Sequence, residues 1–214
     1  MNTICSFHLA IALLAVAVKG FSQGFVNLDF EDARIAGNVT GNQIDPTNAF
    51  PGWIVSAPFV YYNDASLSGG SISIVDTNNN FIAPSQVQGN YYTYFASASF
   101  NATISLSQAG QIPASAQTVL FWGILGGMQV TFNGQPLNVS RTGSAPNYNI
   151  YSADISAYAG QTGQLAFSFA PFTANSMLDN IQFSSTAVPE PSPVALGILG
   201  GALIAFRRRR IKRS

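Results

Sequence analysis

The feature that most limits the fold of this chain is the alternation of apolar and polar residues in short runs between residues 23 and 187. Leu165, Phe167 and Phe169 occupy every second position of one such run. This period is that of a half-buried strand, because successive side chains of a strand point to opposite faces. We find no helical period over about twelve residues in this region, so the pattern predicts an all-β domain. The other predicted strands are Phe25–Glu31, Ser71–Asp76, Tyr91–Phe100, Thr103–Leu106, Val119–Leu125, Met128–Phe132 and Asp179–Phe183.

Asn133 and Gly134 form the clearest turn signal in this region. They separate the run ending at Phe132 from a return segment at 136–139, and Asn-Gly is typical of a two-residue hairpin turn. Pro136 lacks an N–H group, so the return strand is expected at the edge of a sheet. Roughly ten short strands joined by Gly, Asn and Ser predict one antiparallel β-sandwich domain over residues 23–187.

Composition excludes most common catalytic chemistry from this domain. The single Cys and the single His of the chain are Cys5 and His8, and residues 23–187 contain no Lys and one Glu, Glu31. Disulfides, Cys or His metal sites, a Ser-His-Asp triad and a lysine Schiff base are therefore excluded. We predict that the protein is not an enzyme. A polysaccharide-active enzyme that works with Asp and Tyr alone is the less favoured alternative.

Charge excludes one class of partner. Residues 23–187 carry eight acidic and two basic side chains, a net charge of −6, although the whole chain sums to zero. A region with so few bases does not bind nucleic acid through its phosphates.

The N-terminus has the pattern of a signal peptide. Residues 9–18 are a run of ten apolar residues, which is too short to span about 30 Å of hydrocarbon but suits a signal-peptide core. Gly20 and Ser22 are small, so cleavage after Ser22 is predicted, with a site after Ala17 as the alternative. The predicted signal helix occupies residues 1–22, and export through the Sec translocon follows.

The C-terminal residues 188–214 contain three elements in order: a motif at 188–192, an apolar segment at 194–206 and a basic tail at 207–214. The apolar segment would form a short transmembrane helix about 20 Å long, which flanking arginines and local bilayer thinning can accommodate. The positive-inside rule keeps the basic tail cytoplasmic and the domain outside. The motif is Val188, Pro189, Glu190, Pro191 and Ser192, and the basic stop is Arg207, Arg208, Arg209 and Arg210.

This order resembles the PEP-CTERM sorting signal of Gram-negative bacteria, over about 27 of the 214 residues. The resemblance implies transient anchoring in the inner membrane and recognition by an exosortase that cuts near the Pro-Glu-Pro motif. The protein would then reach the cell surface or the extracellular matrix and its exopolysaccharide. An ordinary single-pass anchor with a basic stop is the alternative.

Both ends of the central domain resemble jelly-roll carbohydrate-binding modules and galactose-binding-like domains. The opening residues are Asn27-Leu-Asp-Phe-Glu31 followed by Gly52-Trp53, and the closing residues are Tyr151–Gln161 and Leu178–Ile181. The resemblance implies a jelly-roll β-sandwich, binding of polysaccharide and a structural calcium ion.

Glu31 and Asp179 are the predicted calcium ligands. First and last strands are neighbours in a jelly roll, and Ca²⁺ takes carboxylate and carbonyl oxygens. Asp179 shares the parity of Ile181 and Phe183, and a carboxylate on a core-facing stripe is costly unless it is paired or binds a cation. Glu31 has the outward parity of its strand unless the chain bends there. The alternative is that these carboxylates cap turns or face water.

Tyr61, Tyr92 and Tyr94 are the predicted ligand-binding residues, because aromatic faces stack on the apolar face of a sugar ring. Adjacent tyrosines in a strand point to opposite faces, so at most one of each pair faces outward. The alternative is core packing, which is predicted for Trp53 and Trp122. The sequence thus predicts a non-enzymatic exported protein that binds carbohydrate, with a structural adhesin or ice-interacting protein as the alternative.

Overall fold

The structure is a computed structural model of the chain, and it describes residues 24–64, 70–79, 87–96, 103–170 and 175–187. The predicted signal peptide (1–22), the PEP-CTERM motif, the short transmembrane helix and the basic tail lie outside the described residues. In the part of the chain that is described, no helix is long and apolar enough to cross a membrane.

The described residues form two β-sheets, and β4 and β5 are the parallel pair among otherwise antiparallel strands. Two short helical segments, α1 (Pro46–Ala49) and a 3₁₀ turn (Ser156–Tyr158), complete the described elements. The larger sheet contains, in spatial order, β1 (Val39–Thr40), β2 (Gln43–Ile44), β4 (Phe59–Tyr62), β5 (Ser71–Asp76), β6 (Tyr91–Ala96), β14 (Ser176–Ser184), β8 (Thr118–Ile124), β12 (Asn149–Asp154) and β11 (Val139–Ser144). The smaller sheet contains, in spatial order, β10 (Gln135–Pro136), β9 (Met128–Phe132), β13 (Thr162–Phe169), β7 (Ile104–Gln111) and β3 (Ile54–Ser56).

The main hydrophobic core lies between the two sheets. Phe121 of β8 meets Phe167 of β13 edge to face with ring centroids 5.4 Å apart, and Phe95 of β6 stacks on Phe169 at 5.7 Å. Trp53 is 6% exposed and packs against Phe167 in the same core, as predicted. Because aromatic rings from both sheets interdigitate, the all-β class and the β-sandwich architecture predicted from the alternation are confirmed.

The Asn-Gly turn forms as predicted. Asn133 and Gly134 have φ values of 49° and 76°, the left-handed conformations that a two-residue hairpin requires. The Asn133 side chain also accepts a hydrogen bond from the backbone N–H of Gln164 at 2.9 Å. Pro136 lies on β10, which is an edge strand of the smaller sheet, so the edge position is confirmed as well.

The predicted first strand, Phe25–Glu31, is wrong. Asn27 and Phe30 have positive φ values of 48° and 59°, and the chain turns over residues 28–32. Side chains replace a strand ladder here: Asn27 Oδ1 accepts the N–H of Asp32, and Gln108 bonds both backbone groups of Val26. The alternation reflected the burial of Phe30 in the core, not an extended backbone.

Candidate functional site

The outer face of the larger sheet is the surface that points away from the smaller sheet. On β8 the inward residues Val119 and Phe121 belong to the main core, whereas Leu120, Trp122 and Ile124 point outward. These three outward residues are apolar and half-buried or exposed. β8 is therefore apolar on both sides: its inner side packs in the main core, and its outer side adds apolar surface to the outer face.

Trp122 and Tyr148 form a stacked pair on the outer face. Their ring centroids are 4.7 Å apart and their planes differ by 11°. Ile150 of β12 lies opposite Trp122 in the register of the sheet and carries the apolar surface toward the edge of the sheet. Both rings are half-buried, so part of each ring is accessible.

The core packing predicted for Trp122 is found on the outer face of the larger sheet and not between the two sheets. Both faces of β8 are apolar, so the run of residues around Trp122 gives no sign of which face is buried between the sheets. Trp122 instead packs against a second, smaller cluster on the outer face. Its buried members are Val75, Val87, Tyr92, Tyr94, Ala96 and Met177.

The three tyrosines predicted to bind ligand all belong to strands of the larger sheet. Tyr61 lies opposite Ser73 of β5, and Ser73 lies opposite Tyr94 of β6, so they share one row across the outer face. Tyr61 is half-buried and stacks on exposed Phe59, with ring centroids 5.8 Å apart.

Tyr92 and Tyr94 are buried, at 0% and 9% exposure. Burial raises the pKa of Tyr92 well above its ordinary value, and Tyr94 adds to the shift. Burial also raises the pKa of Tyr94, which a hydrogen bond with Asn175 partly offsets. Of the three, Tyr61 is the partly exposed ring. The role of all three in binding a ligand stays a prediction.

Glu31 lies in the turn that replaces the predicted first strand, so its side chain does not follow strand parity. Its Oε1 accepts the backbone N–H groups of Asn90 and Tyr91 at 2.7 and 3.0 Å. Its Oε2 accepts the Asn90 side-chain amide at 2.9 Å. The carboxylate thus ties the opening segment to the start of β6.

Asp179 lies in β14 at an irregularity of the strand and is 1% exposed. Its two oxygens accept the N–H groups of Asn180 at 2.7 Å and of Gln88 at 3.1 Å. Burial raises the pKa of Asp179 to about 8, and the negative charges of Glu31 and Asp29 act in the same direction. The hydrogen bonds from Asn180 and Gln88 lower the pKa but do not outweigh burial.

The structure brings the two predicted calcium ligands to one short segment, residues 88–91. The opening segment and β14 are also joined directly, since the Ile181 N–H donates to the Leu28 carbonyl at 2.9 Å. Two carboxylates that lie near each other, one of them buried, fit a cation in charge and in donor type. The described residues contain no group of three or more His, Cys, Asp or Glu side chains that could hold a metal ion. A cation here would need carbonyl or water oxygens beside Glu31 and Asp179.

Comparison with known proteins adds two distant likenesses in backbone. The sequence matches no family model and no curated protein. The enzymatically active domain of bacteriophage CBA120 tailspike protein 4 superposes with a TM-score of 0.40 and 10% identity, over 67% of this chain and 21% of that one. TmCBM61, solved in complex with β-1,4-galactotriose, superposes with a TM-score of 0.35 and 16% identity, over 76% of this chain and 99% of that one. The chain thus spans about a fifth of the tailspike domain.

Proposed function

We propose that this protein is an exported, non-enzymatic carbohydrate-binding protein with a jelly-roll domain. The observation that carries the proposal is the Trp122–Tyr148 stacked pair on the outer face of the larger sheet. The rings of Trp122 and Tyr148 are flat, rigid and partly exposed, and they lie beside Ile150. Such a surface suits the apolar face of a sugar ring, because removing that face from water costs little free energy. Tyr61 and Phe59 offer a second aromatic surface on the same face.

The composition of the domain supports binding without catalysis. Residues 23–187 contain no His, Lys or Cys, so an enzyme would depend on Asp, Tyr and Glu31. Glu31 is engaged by three N–H groups, and Asp179 is buried with a raised pKa. Asp179 lies opposite Trp122 in the strand register, but it is 1% exposed and accepts the N–H groups of Asn180 and Gln88. Glu31 bonds Asn90 and Tyr91. A sugar bound at the exposed parts of the Trp122 and Tyr148 rings would therefore not meet Glu31 and Asp179 as the accessible pair of carboxylates that glycoside hydrolysis uses.

We also propose that sorting signals at the two ends of the chain direct the protein to the cell surface or matrix. The signal peptide would engage the Sec translocon, and the PEP-CTERM tail would anchor the protein transiently in the inner membrane until an exosortase cuts it. This is tested by expressing the full chain in a Gram-negative host with and without its exosortase gene. Replacing Pro189, Glu190 and Pro191 by Ala should leave the protein in the inner membrane, and release of this variant to the surface would contradict the proposal.

A structural calcium ion held by Glu31 and Asp179 belongs to the same proposal. It would supply a positive charge to two carboxylates that hold the opening segment, β14 and residues 88–91 together. The two side chains would position these segments for folding, and sugar binding would not involve the ion directly.

The binding proposal is tested with the full chain on a glycan array, followed by calorimetric titration of the oligosaccharides that bind. Trp122→Ala should lower affinity about fivefold or more, since stacking of a ring on one aromatic side chain is worth about 1–3 kcal/mol. Ile54→Ala is the matched control, because Ile54 is 62% exposed on the smaller sheet and away from the aromatic pair. A wild-type protein that binds no glycan would refute the proposal and favour a structural adhesin or ice-interacting protein.

A further inference from the structure

A groove opens on the outer face of the larger sheet, at the place where the described part of the chain ends. It has a volume of about 150 Å³, and residues of β14, β8, β12 and β11 line it. Ala187, the last described residue, is part of its lining, so the chain continues directly from this groove. We call it the exit groove. The other residues that line it are Thr118, Leu120, Thr142, Ser152, Ser184 and Thr186.

The surface of the exit groove is mostly apolar, although hydroxyl residues border it. Thr118 donates its hydroxyl to the Thr186 carbonyl at 2.6 Å, and Ser184 Oγ accepts the Thr186 N–H at 3.0 Å. Ser152 is 1% exposed, so its hydroxyl does not reach the surface. Leu120 and the methyl groups of the threonines are therefore what the groove presents to an occupant. Such a surface gains free energy when apolar atoms cover it.

The chain leaves the described residues in a direction that crosses the outer face. The two hydrogen bonds of Thr186 hold it against the first residue of β8 and the last residue of β14. Thr142 of β11 lines the same groove from the far side. Neighbouring strands are about 4.8 Å apart, so β11 lies about 10 Å from β8, and an extended chain covers this distance in about three residues. The residues that follow Ala187 are Val188, Pro189, Glu190 and Pro191.

Residues 188–191 have the composition and the backbone preference of an occupant for this groove. Pro189 and Pro191 each fix their own φ near −65° and favour an extended backbone in the residue before them. Polyproline II has three residues per turn and rises about 3.1 Å per residue, so Val188 and Pro191 would share one face about 9 Å apart. Pro-rich segments of this form dock in aromatic-lined grooves with little loss of conformational entropy, because the extended form exists before binding.

We propose that the exit groove binds residues 188–191 of the same chain. Val188 and Pro191 would cover Leu120, and Glu190, which lies on another face of the segment, would stay in water. The segment has a high effective concentration at the groove, because the last described residue already lies there. The predicted sorting motif would then leave the domain at a fixed place next to β11. That consequence rests on the proposed function, whereas the docking itself does not depend on it.

The experiment measures how readily a disulfide forms between the segment and the wall of the groove. Cys5 is the only native cysteine, so Cys5→Ser gives a full chain in which two introduced cysteines are the only thiols. The test chain carries Val188→Cys and Thr142→Cys, and the control chain carries Val188→Cys and Arg141→Cys. Both chains keep the Pro-Glu-Pro motif, and both are expressed in a host without an exosortase and then oxidised with diamide.

The control chain differs from the test chain in the face of β11 that carries the second cysteine. Thr142 and Arg141 are exposed neighbours on this edge strand, so replacing either one leaves the core intact. Thr142 lines the exit groove. Arg141 lies opposite Tyr151, whose ring stacks on the inward ring of Phe121, so it belongs to the other face.

Docking predicts an intramolecular disulfide in the test chain that forms about tenfold or more faster than in the control chain. The reason is that two cysteines are bridged only when their Cα atoms lie within about 7 Å of each other. Adding Leu120→Ala to the test chain should slow the disulfide about threefold, because the groove then offers less apolar surface to the segment. Thermal unfolding of each chain checks that the domain is folded.

Equal rates in the test and control chains would overturn the docking, since a segment that reaches both faces of β11 equally is not held in the groove. Disulfides that link two chains, detected as dimers, would overturn the intramolecular proposal and assign the groove to the segment of a second copy. Neither result bears on the glycan array or on delivery to the cell surface. A failure of this inference is therefore distinct from a failure of the proposed function.

Discussion

At the scale of single residues, two carboxylates tie the opening segment and β14 to residues 88–91. Glu31 accepts three hydrogen bonds from Asn90 and Tyr91, and Asp179 accepts one from Gln88. The N–H groups offset only part of the cost of burying negative charge, as the raised pKa of Asp179 records. This region should therefore respond both to pH and to changes in backbone geometry.

The buried carboxyl of Asp179 should make the domain less stable as pH rises. Its pKa is about 8 in the folded state against an ordinary value of 3.8, so between these values the folded state binds a proton that the unfolded state does not. In calcium-free buffer the free energy of unfolding should therefore fall from about pH 4 to pH 8. Asp179→Asn should flatten this dependence, measured by urea unfolding at several pH values.

Asp45→Asn is the control for that experiment. Asp45 is exposed and caps α1, and the hydrogen bonds from Thr47 lower its pKa. Asp45 contributes to the free energy of unfolding at pH values above the pKa that it has in the unfolded state, and this contribution is lost only as pH falls below that value. The fall in the free energy of unfolding between pH 5 and 8 should therefore persist in Asp45→Asn. An equally steep slope in Asp179→Asn would show that another group dominates.

Gly89 should be intolerant of a side chain because Glu31 lies against it. Gly89 has a φ of 62°, and an added Cβ would collide with the Glu31 carboxylate. Gly41 has a nearly equal φ of 61° and open space around it, so it isolates the conformational cost of about 1 kcal/mol. We expect Gly89→Ala to destabilise the protein by about 1–2 kcal/mol more than Gly41→Ala in urea unfolding. Equal losses would mean that Glu31 moves aside freely.

At the scale of elements, β8 determines both the core and the candidate binding face. It lies between β14 and β12, with Phe121 on the inner side and Trp122 on the outer side. Its close approach to β14 depends on Gly123, since a Cβ there would collide with the carbonyl of Met177. The position of the aromatic pair depends on this one strand.

Gly123→Ala should therefore separate β8 from β14. Because the obstacle is backbone, a rotamer change cannot relieve it, and we expect a loss of about 1–3 kcal/mol in the free energy of unfolding. Gly24→Ala is the matched control, since nothing lies within 4 Å of a Cβ at Gly24. An unfolding midpoint for Gly123→Ala equal to that of the control would contradict the close approach of the two strands.

At the scale of the whole molecule, charge separates the domain from its ends. Residues 23–187 carry a net charge of −6, and the basic residues concentrate after residue 206. An acidic domain favours a soluble matrix protein or a cation binder, and it disfavours anionic polymers as ligands.

Calcium should stabilise the whole domain if Glu31 and Asp179 bind it. At pH 8 the melting temperature should rise with millimolar Ca²⁺ and fall with excess chelator, because a ligand bound to the folded state alone stabilises it by mass action. Glu31→Gln should lose this response, whereas Asp45→Asn should keep it. A melting temperature unchanged by the chelator would rule out the calcium site.

The sequence by itself determined the elements whose signals are local. Alternation at Leu165, Phe167 and Phe169 and the Asn133-Gly134 turn depend on backbone sterics and strand pleat, which neighbouring residues fix without help from the rest of the chain. Tertiary structure alone decided the path of Phe25–Glu31, where Gln108 supplies hydrogen bonds from 82 residues away. Tertiary structure also decided which apolar face of β8 is buried between the sheets. The periodicity of the sequence is the same for both faces, and the packing of the second sheet determines which one is covered. The aromatic pair is therefore a product of the tertiary fold, since Trp122 lies on β8 and Tyr148 lies just before β12.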